Sequence, residues 1–294
     1  MIEEASRKVD ILIEALPYIR QFYKKTVVIK YGGSAVEQSE LNHSILEDIT
    51  FMNHVGIHPV IVHGAGPFIT KRMKDAGIDV KFVNGMRVTG EKTLNIVNEA
   101  LSEVNKDIVR ELKSKGNEAK GFVGKNGELI SAKKKNLSSD AGFVGDVTGF
   151  DSQLIYSLLQ SKMIPVIAPM GVDENGQLYN LNADTVAAEI AVVMKAEKLV
   201  LLTNVRGIMK DIDDPESLLS TVTLEDLDKL FESRVIKGGM QPKVEACRFA
   251  AERGVHKTHI IDAQILHALL LEVYTDQGIG TQIIKDNKKI VKKL

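Results

Sequence analysis

Two β-branched runs, Thr26-Val27-Val28-Ile29-Lys30 and Pro59-Val60-Ile61-Val62, each lead into glycines, and a helical stretch around Ile45 to Val55 lies between them. Such runs read as strands buried on both faces, which pair in parallel through helical crossovers. The pattern returns at Met163-Ile164-Pro165-Val166-Ile167-Ala168 and at Lys198-Leu199-Val200-Leu201-Leu202-Thr203. The chain is therefore expected to be α/β, with a mostly parallel central sheet covered by helices. Before the first strand, residues 6–24 place Val9, Leu12, Ile13, Leu16, Ile19 and Phe22 at helical spacing around Pro17, which predicts a kinked amphipathic helix. From Gly116 to Gly149, glycine and lysine punctuate short apolar pieces, predicting hairpins beside the main sheet. A boundary between two lobes is expected near residues 190–196.

In an open parallel sheet, ligands gather at the carboxyl ends of strands, where glycine turns expose N–H groups and helix N-termini favour negative charge. Lys30-Tyr31-Gly32-Gly33-Ser34 and His63-Gly64-Ala65-Gly66-Pro67 are two such turns, suited to a polyphosphate or equally to tight strand-to-helix reversals. Neither is a P-loop, and Ile69 stands where a dinucleotide fingerprint needs its third glycine. Lys243, after Gly238 and Gly239, is a second candidate anion ligand or a solvated surface lysine. Asn180, Asn182 and Asp184 precede the apolar run Val186 to Met194, so Asn182 or Asp184 can cap a helix as well as serve a site. Arg87 follows a turn and can pair with a carboxylate or lie on the surface.

Composition narrows the function class. With 38 Lys plus Arg against 39 Asp plus Glu, the net charge of -1 offers no general attraction to nucleic acid or an anionic membrane. Lys133-Lys134-Lys135 and the basic tail from Lys288 lack an aromatic stacking platform and read as solvated surface. One cysteine, Cys247, and no signal-like or membrane-spanning run lead to the expectation of a cytoplasmic protein with no nucleic-acid or membrane partner.

Taken in series, the segments beginning at Lys30, His63, Asn84, Asn180 and Gly238 resemble acetylglutamate kinase, of the amino acid kinase superfamily, almost end to end. The resemblance implies an αβα sandwich with an N-terminal oligomerisation helix (1–24), an acetylglutamate-binding lobe (25–192) and an ATP-binding lobe (193–294). It implies that Lys30 and Lys243 stabilise the transferring phosphoryl group and that Asp184 orients them. Gly32, Gly33, Gly64, Ala65 and Gly66 would surround the phosphates and acceptor. Arg87, Asn180 and Asn182 would hold N-acetyl-L-glutamate, while Thr203, Gly238 and Gly239 would belong to the ATP site. Magnesium would bind through ATP, with no separate protein metal site. The N-terminal helix resembles that of the arginine-inhibited, hexameric branch, implying a homo-oligomer built from dimers and L-arginine as feedback inhibitor near His267 and Glu272.

Three positions depart from the family pattern. Ala65 replaces the middle glycine of the second turn, Asn204 an aspartate after Thr203, and Asp262-Ala263-Gln264 an Asp-Gly-Arg. If position 65 requires positive φ, alanine strains it. The competing readings are an N-acetyl-L-aminoadipate kinase, whose substrate is one methylene longer, and a catalytically weakened regulatory relative.

Overall fold

The computed structural model describes residues 2–32, 39–83, 85–124, 129–136, 141–274 and 278–285. The chain opens with helix α1 (Ile2–Phe22), β1 (Thr26–Tyr31), α2 (Ser39–His54), β2 (His58–His63) and α3 (Gly66–Asp75). A hairpin of β3 (Phe82–Val83) and β4 (Met86–Arg87) precedes α4 (Glu91–Ser114), β5 (Glu118–Phe122), β6 (Ile130–Lys134), β7 (Gly145–Phe150), α5 (Ser152–Gln160) and β8 (Met163–Ile167). Next come β9 (Met170–Val172), β10 (Leu178–Asn180), α6 (Ala183–Val193), β11 (Lys198–Thr203), β12 (Thr221–Thr223) and α7 (Leu224–Glu232). The last elements are α8 (Gln241–Glu252), β13 (Lys257–Asp262), α9 (Ala268–Val273) and β14 (Thr281–Ile284).

The main sheet has eight strands in the order β12-β14-β13-β11-β1-β2-β8-β5. Among the described residues only β13 and β14 pair antiparallel within it. Strands from residues 25–192 occupy one half and those from 193–294 the other, meeting where β1 pairs in parallel with β11. Lys30 lies opposite Leu201 on one side and Val62 on the other, so strand order reverses beside it. That reversal is where an open sheet leaves a crevice at its carboxyl edge.

Alternation along β1 builds two cores. Val27, Ile29 and Tyr31 pack with Ile45, Ile49, Leu101 and Leu269 on one face, while Val28 packs with Ile155, Val186, Ile190 and Val244 on the other. Each such buried aliphatic side chain contributes about 1.5–3 kcal/mol relative to exposure. Cys247 is a free, buried member of the second core.

One expectation needs correction. The stretch from Gly116 does not form hairpins throughout: β5 pairs in parallel with β8 as the edge of the main sheet, and among its described residues only β6 and β7 pair antiparallel, in a separate four-stranded sheet. Helix α1 is continuous from Ile2 to Phe22 with Pro17 inside it. Its C-terminal end is anchored by buried Phe22, beneath the Lys198 ammonium at 4.9 Å, and by Tyr18 edge-on to Tyr274 at 6.2 Å. Further along, Val9, Ile13 and Leu16 are 52%, 61% and 40% exposed. Among the described residues no helix is long and apolar enough to cross a membrane.

Candidate active site

Lys30 enters the crevice from the carboxyl end of β1, Asp184 from the first turn of α6 and Lys243 from the first turn of α8. The start of α6 is set by Asn182, whose Oδ1 accepts the Thr185 N–H at 3.0 Å. With the cap supplied there, Asp184 turns inward and binds Lys30 Nζ at 3.0 Å through one oxygen and Lys243 Nζ at 3.1 Å through the other. Burial alone raises the Asp184 carboxyl, but Lys30 and Lys243 outweigh it and hold the group below its ordinary value. Two ammonium groups on one buried carboxylate leave an excess positive charge, which suits a further anion.

Gly32 and Gly64 approach each other at the ends of β1 and β2. A Cβ on Gly32 would meet Gly64 N at 3.3 Å, so the two glycines are nearly in contact. The Gly64 N–H donates to Tyr31 O at 2.9 Å and is engaged within the protein, contrary to its expected use as a free donor. Ala65 lies at φ -141, so the feared left-handed strain is absent. Gly66 is open to solvent at the start of α3, which has no side-chain cap. Behind the turn, His63 is fully buried against Asn105 at 2.9 Å, and burial lowers its imidazole to about 4. Gly33 lies outside the described residues.

Arg87, at the end of β4, is largely buried, and burial lowers its guanidinium from the ordinary value. It donates to Thr70 Oγ1 at 2.8 Å and Gly66 O at 3.2 Å, and stacks 4.9 Å from the Phe82 ring centre. Among the described residues no carboxylate pairs with it. It lines a cavity of about 590 Å³ together with Gly66, Thr70 and Phe82. Asn180 donates to Thr89 Oγ1 at 3.0 Å.

Beyond β11, a cavity of about 580 Å³ is lined by Asn204, Arg206, Lys210, Lys237 and Asp262, among others. Thr203 shapes rather than lines it: its hydroxyl donates to Val205 O at 2.8 Å. Gly238, at φ 54, and Gly239 give the neighbouring loop an open backbone before Lys243. A larger cavity, about 830 Å³, lies against Lys133, Lys134 and Asp173 on the smaller sheet and shares no residue with these groups.

His267 and Glu272 lie in different surroundings. His267 is the left-handed N-cap of α9 and pairs through Nδ1 with buried Asp48 at 2.7 Å. Glu272 lines a cavity of about 160 Å³ with Tyr18, Phe22, Lys198, Lys257 and His259. Its carboxylate is engaged by His259 Nδ1 at 2.6 Å and by the Ile279 N–H at 2.8 Å. Burial, then Lys198, lowers His259 to about 4, and burial first, then Lys257, lowers Lys198 to about 8. Sequence reading assigned no role to His63, Thr89, Asp48 or His259, because each acts through partners distant in the chain.

The sequence profile of the amino acid kinase family matches residues 25–262, spanning β1 to β13. The chain belongs to the amino acid kinase family. Within the family it is 48% identical over 281 residues to an acetylglutamate kinase of Desulforamulus reducens, covering 95% of this chain and 98% of that protein. It is 46% identical over 294 residues to an acetylglutamate kinase of Methanocaldococcus jannaschii, with 96% and 98% covered. An N-acetylglutamate synthase structure from Neisseria gonorrhoeae, complexed with coenzyme A and N-acetyl-glutamate, superposes with a TM-score of 0.84 at 27% identity. That match covers 95% of this chain, which spans 63% of the synthase's length. A carbamate kinase from Giardia lamblia, at 16% identity and TM-score 0.64, shares the family fold.

Proposed function

We propose that this chain is an ATP-dependent kinase acting on the side-chain carboxylate of N-acetyl-L-glutamate, forming N-acetyl-L-glutamyl 5-phosphate in arginine biosynthesis. The observation that carries this reading is the Lys30–Asp184–Lys243 cluster, set at the strand-order reversal where two anions can meet. Its support from relatives is the 48% identity to an acetylglutamate kinase across nearly the whole chain.

The acceptor carboxylate is already ionised near neutral pH, so no base is required. What the reaction needs is alignment and relief of repulsion between acceptor and phosphoryl oxygens. ATP supplies the γ-phosphoryl group. Lys30 and Lys243 flank the transfer path, and each ammonium about 4 Å from a phosphoryl oxygen contributes roughly 4 kcal/mol at an effective dielectric near 20. Asp184 keeps the two like charges side by side until the anions arrive. Gly32 and Gly66 leave room and backbone for the acceptor and phosphates, and Gly64 keeps the two turns together.

Arg87 is assigned to the substrate α-carboxylate, since it is a buried cation with only neutral partners, and Asn180 to the atoms beside it. Asn182 supports both by starting α6. The cavity beyond β11, with Arg206, Lys210 and Lys237, fits a nucleotide polyphosphate; Thr203, Gly238 and Gly239 shape its edges. Magnesium is assigned to the phosphate oxygens, because Asp184 is already engaged by two ammonium groups. We assign residues 25–192 to acetylglutamate and 193–294 to ATP, with 1–24 as an assembly helix.

The exposed Val9, Ile13 and Leu16 support self-association through α1, in dimers and hexamers of this chain. The cavity at α1, with Glu272 and two lysines, supports a zwitterionic effector such as L-arginine; His267 would act on it only through α9. A cytoplasmic location agrees with a buried, unpaired Cys247.

The test is turnover of Mg-ATP with N-acetyl-L-glutamate or N-acetyl-L-aminoadipate, trapping acyl phosphate with hydroxylamine. Turnover with acetylglutamate that collapses in Lys30→Ala is expected. Preference for aminoadipate would reassign the substrate, and folded protein inactive on both would overturn the kinase reading.

A further inference from the structure

Thr89 is fully buried between the two segments that carry Arg87 and Asn180, which are 93 positions apart in the chain yet converge on one side chain. Its hydroxyl donates to the Arg87 carbonyl at 2.7 Å and accepts from Asn180 Nδ2 at 3.0 Å. The direction of this chain of bonds is forced. A carbonyl oxygen can only accept, so the single hydroxyl proton of Thr89 must point to Arg87, and Thr89 Oγ1 can then only accept from Asn180. Asn180 must therefore present its NH₂ to Thr89, which fixes the amide orientation and leaves Oδ1 as the acceptor available to a ligand.

The backbone around Thr89 is equally constrained. Its N–H donates to Ala141 O at 2.9 Å, its carbonyl accepts from Phe143 N–H at 2.7 Å, and Phe143 O in turn accepts from Asn180 N–H at 2.9 Å. Gly142, at φ 71, allows the approach: a Cβ there would lie 2.2 Å from Thr89 O. The 141–144 segment thus bridges Thr89 and Asn180 through the main chain while the hydroxyl bridges them directly.

We propose that Thr89 is a positioning residue for the acetylglutamate end of the site: it locks the Arg87 backbone and the Asn180 amide into one register, so that a cation and a hydrogen-bond acceptor are presented together. The only hydrogen-bond donor of the ionised substrate, its amide N–H, matches the acceptor left on Asn180. This inference rests on the assignment of Arg87 and Asn180 to acetylglutamate.

Steady-state kinetics of wild type, Thr89→Val and Thr89→Ser test it. Thr89→Val keeps the shape and deletes both bonds; KM for acetylglutamate should rise at least tenfold, with KM for ATP and kcat within about twofold. Thr89→Ser should restore KM. In an Asn180→Ala background the Thr89→Val increase should shrink by more than half, as expected for one unit acting together. Wild-type KM in folded Thr89→Val, or a rise in both KM values that serine does not rescue, would overturn the positioning role while leaving the kinase reading intact. Should Thr89→Val not fold, the comparison of Thr89→Ser with Thr89→Ala decides by the same criteria. Wild type inactive on acetylglutamate would remove the kinase reading and this inference with it.

Discussion

Two buried carboxylates, Asp184 in the crevice and Glu272 beside α1, are both held below their ordinary pKa, yet by different means. Burial opposes ionisation in each. Asp184 is compensated by two lysine side chains arriving from separate elements, whereas Glu272 is compensated first by a histidine ring, then by a backbone amide of its own neighbourhood and by the nearby Lys198 charge. Ammonium groups on flexible stems can exchange one anion for another; amides in a turn cannot. The first arrangement suits a site that must take up and release charge, and the second holds Glu272 in a fixed place in the wall of the α1 cavity, ready to face an effector.

The largest expected effect breaks the first arrangement. Asp184→Asn should lower kcat for acetylglutamate roughly 10³-fold, the size seen when a preorganised charge array is lost, and should also lower the urea midpoint, because Lys30 and Lys243 lose their counter-charge. Hydroxylamine trapping and urea titration on one preparation report both. Glu272→Ala should instead spare catalysis: loss of about 3 kcal/mol of stability by urea unfolding, because His259 and the Ile279 and Gly280 N–H groups lose their acceptor, with kcat of the folded protein within about threefold. An exchange of these outcomes would reverse the roles of the two regions.

The histidine beside each region sharpens the comparison by pH. His63 and His259 are both lowered to about 4, the first by burial and the second by burial and Lys198. Above an unfolded pKa near 6.5 they are neutral in both states and stability is fully present; as pH falls toward 4 the unfolded chain alone takes up protons and stability is lost. The loss should be on the order of 2–3 kcal/mol per histidine, and His63→Gln should flatten the urea-midpoint curve between pH 6.5 and 4 by about half. The smallest effect is at Ala65. Since its φ is negative, Ala65→Gly should leave kcat within about twofold and destabilise by about 1 kcal/mol or less, read as a small Tm decrease.

The central strands were legible because uninterrupted Val, Ile and Leu runs have few alternatives, and so was the convergence of Lys30, Asp184 and Lys243 once the motifs were taken in order. The strand at Glu118–Phe122 was not, since its burial alternates as an edge strand's does and its glycine, Gly121, suggests a turn. That glycine is present because Asn105 packs against it: a Cβ there would meet the Asn105 amide oxygen. The engagement of the Gly64 N–H was also hidden, because it depends on Tyr31 and His63 lying opposite one another across β1 and β2. Composition could not reveal that Glu272 is bound to a strand histidine thirteen residues earlier.

The parallel ladder from Val27↔Lys198 to Lys30↔Leu201 joins the two halves of the sheet without a break. A chain built this way has no pivot between its halves. Any approach of one half to the other must be absorbed as added twist distributed over hydrogen-bonded strands, so the sheet behaves as a leaf spring.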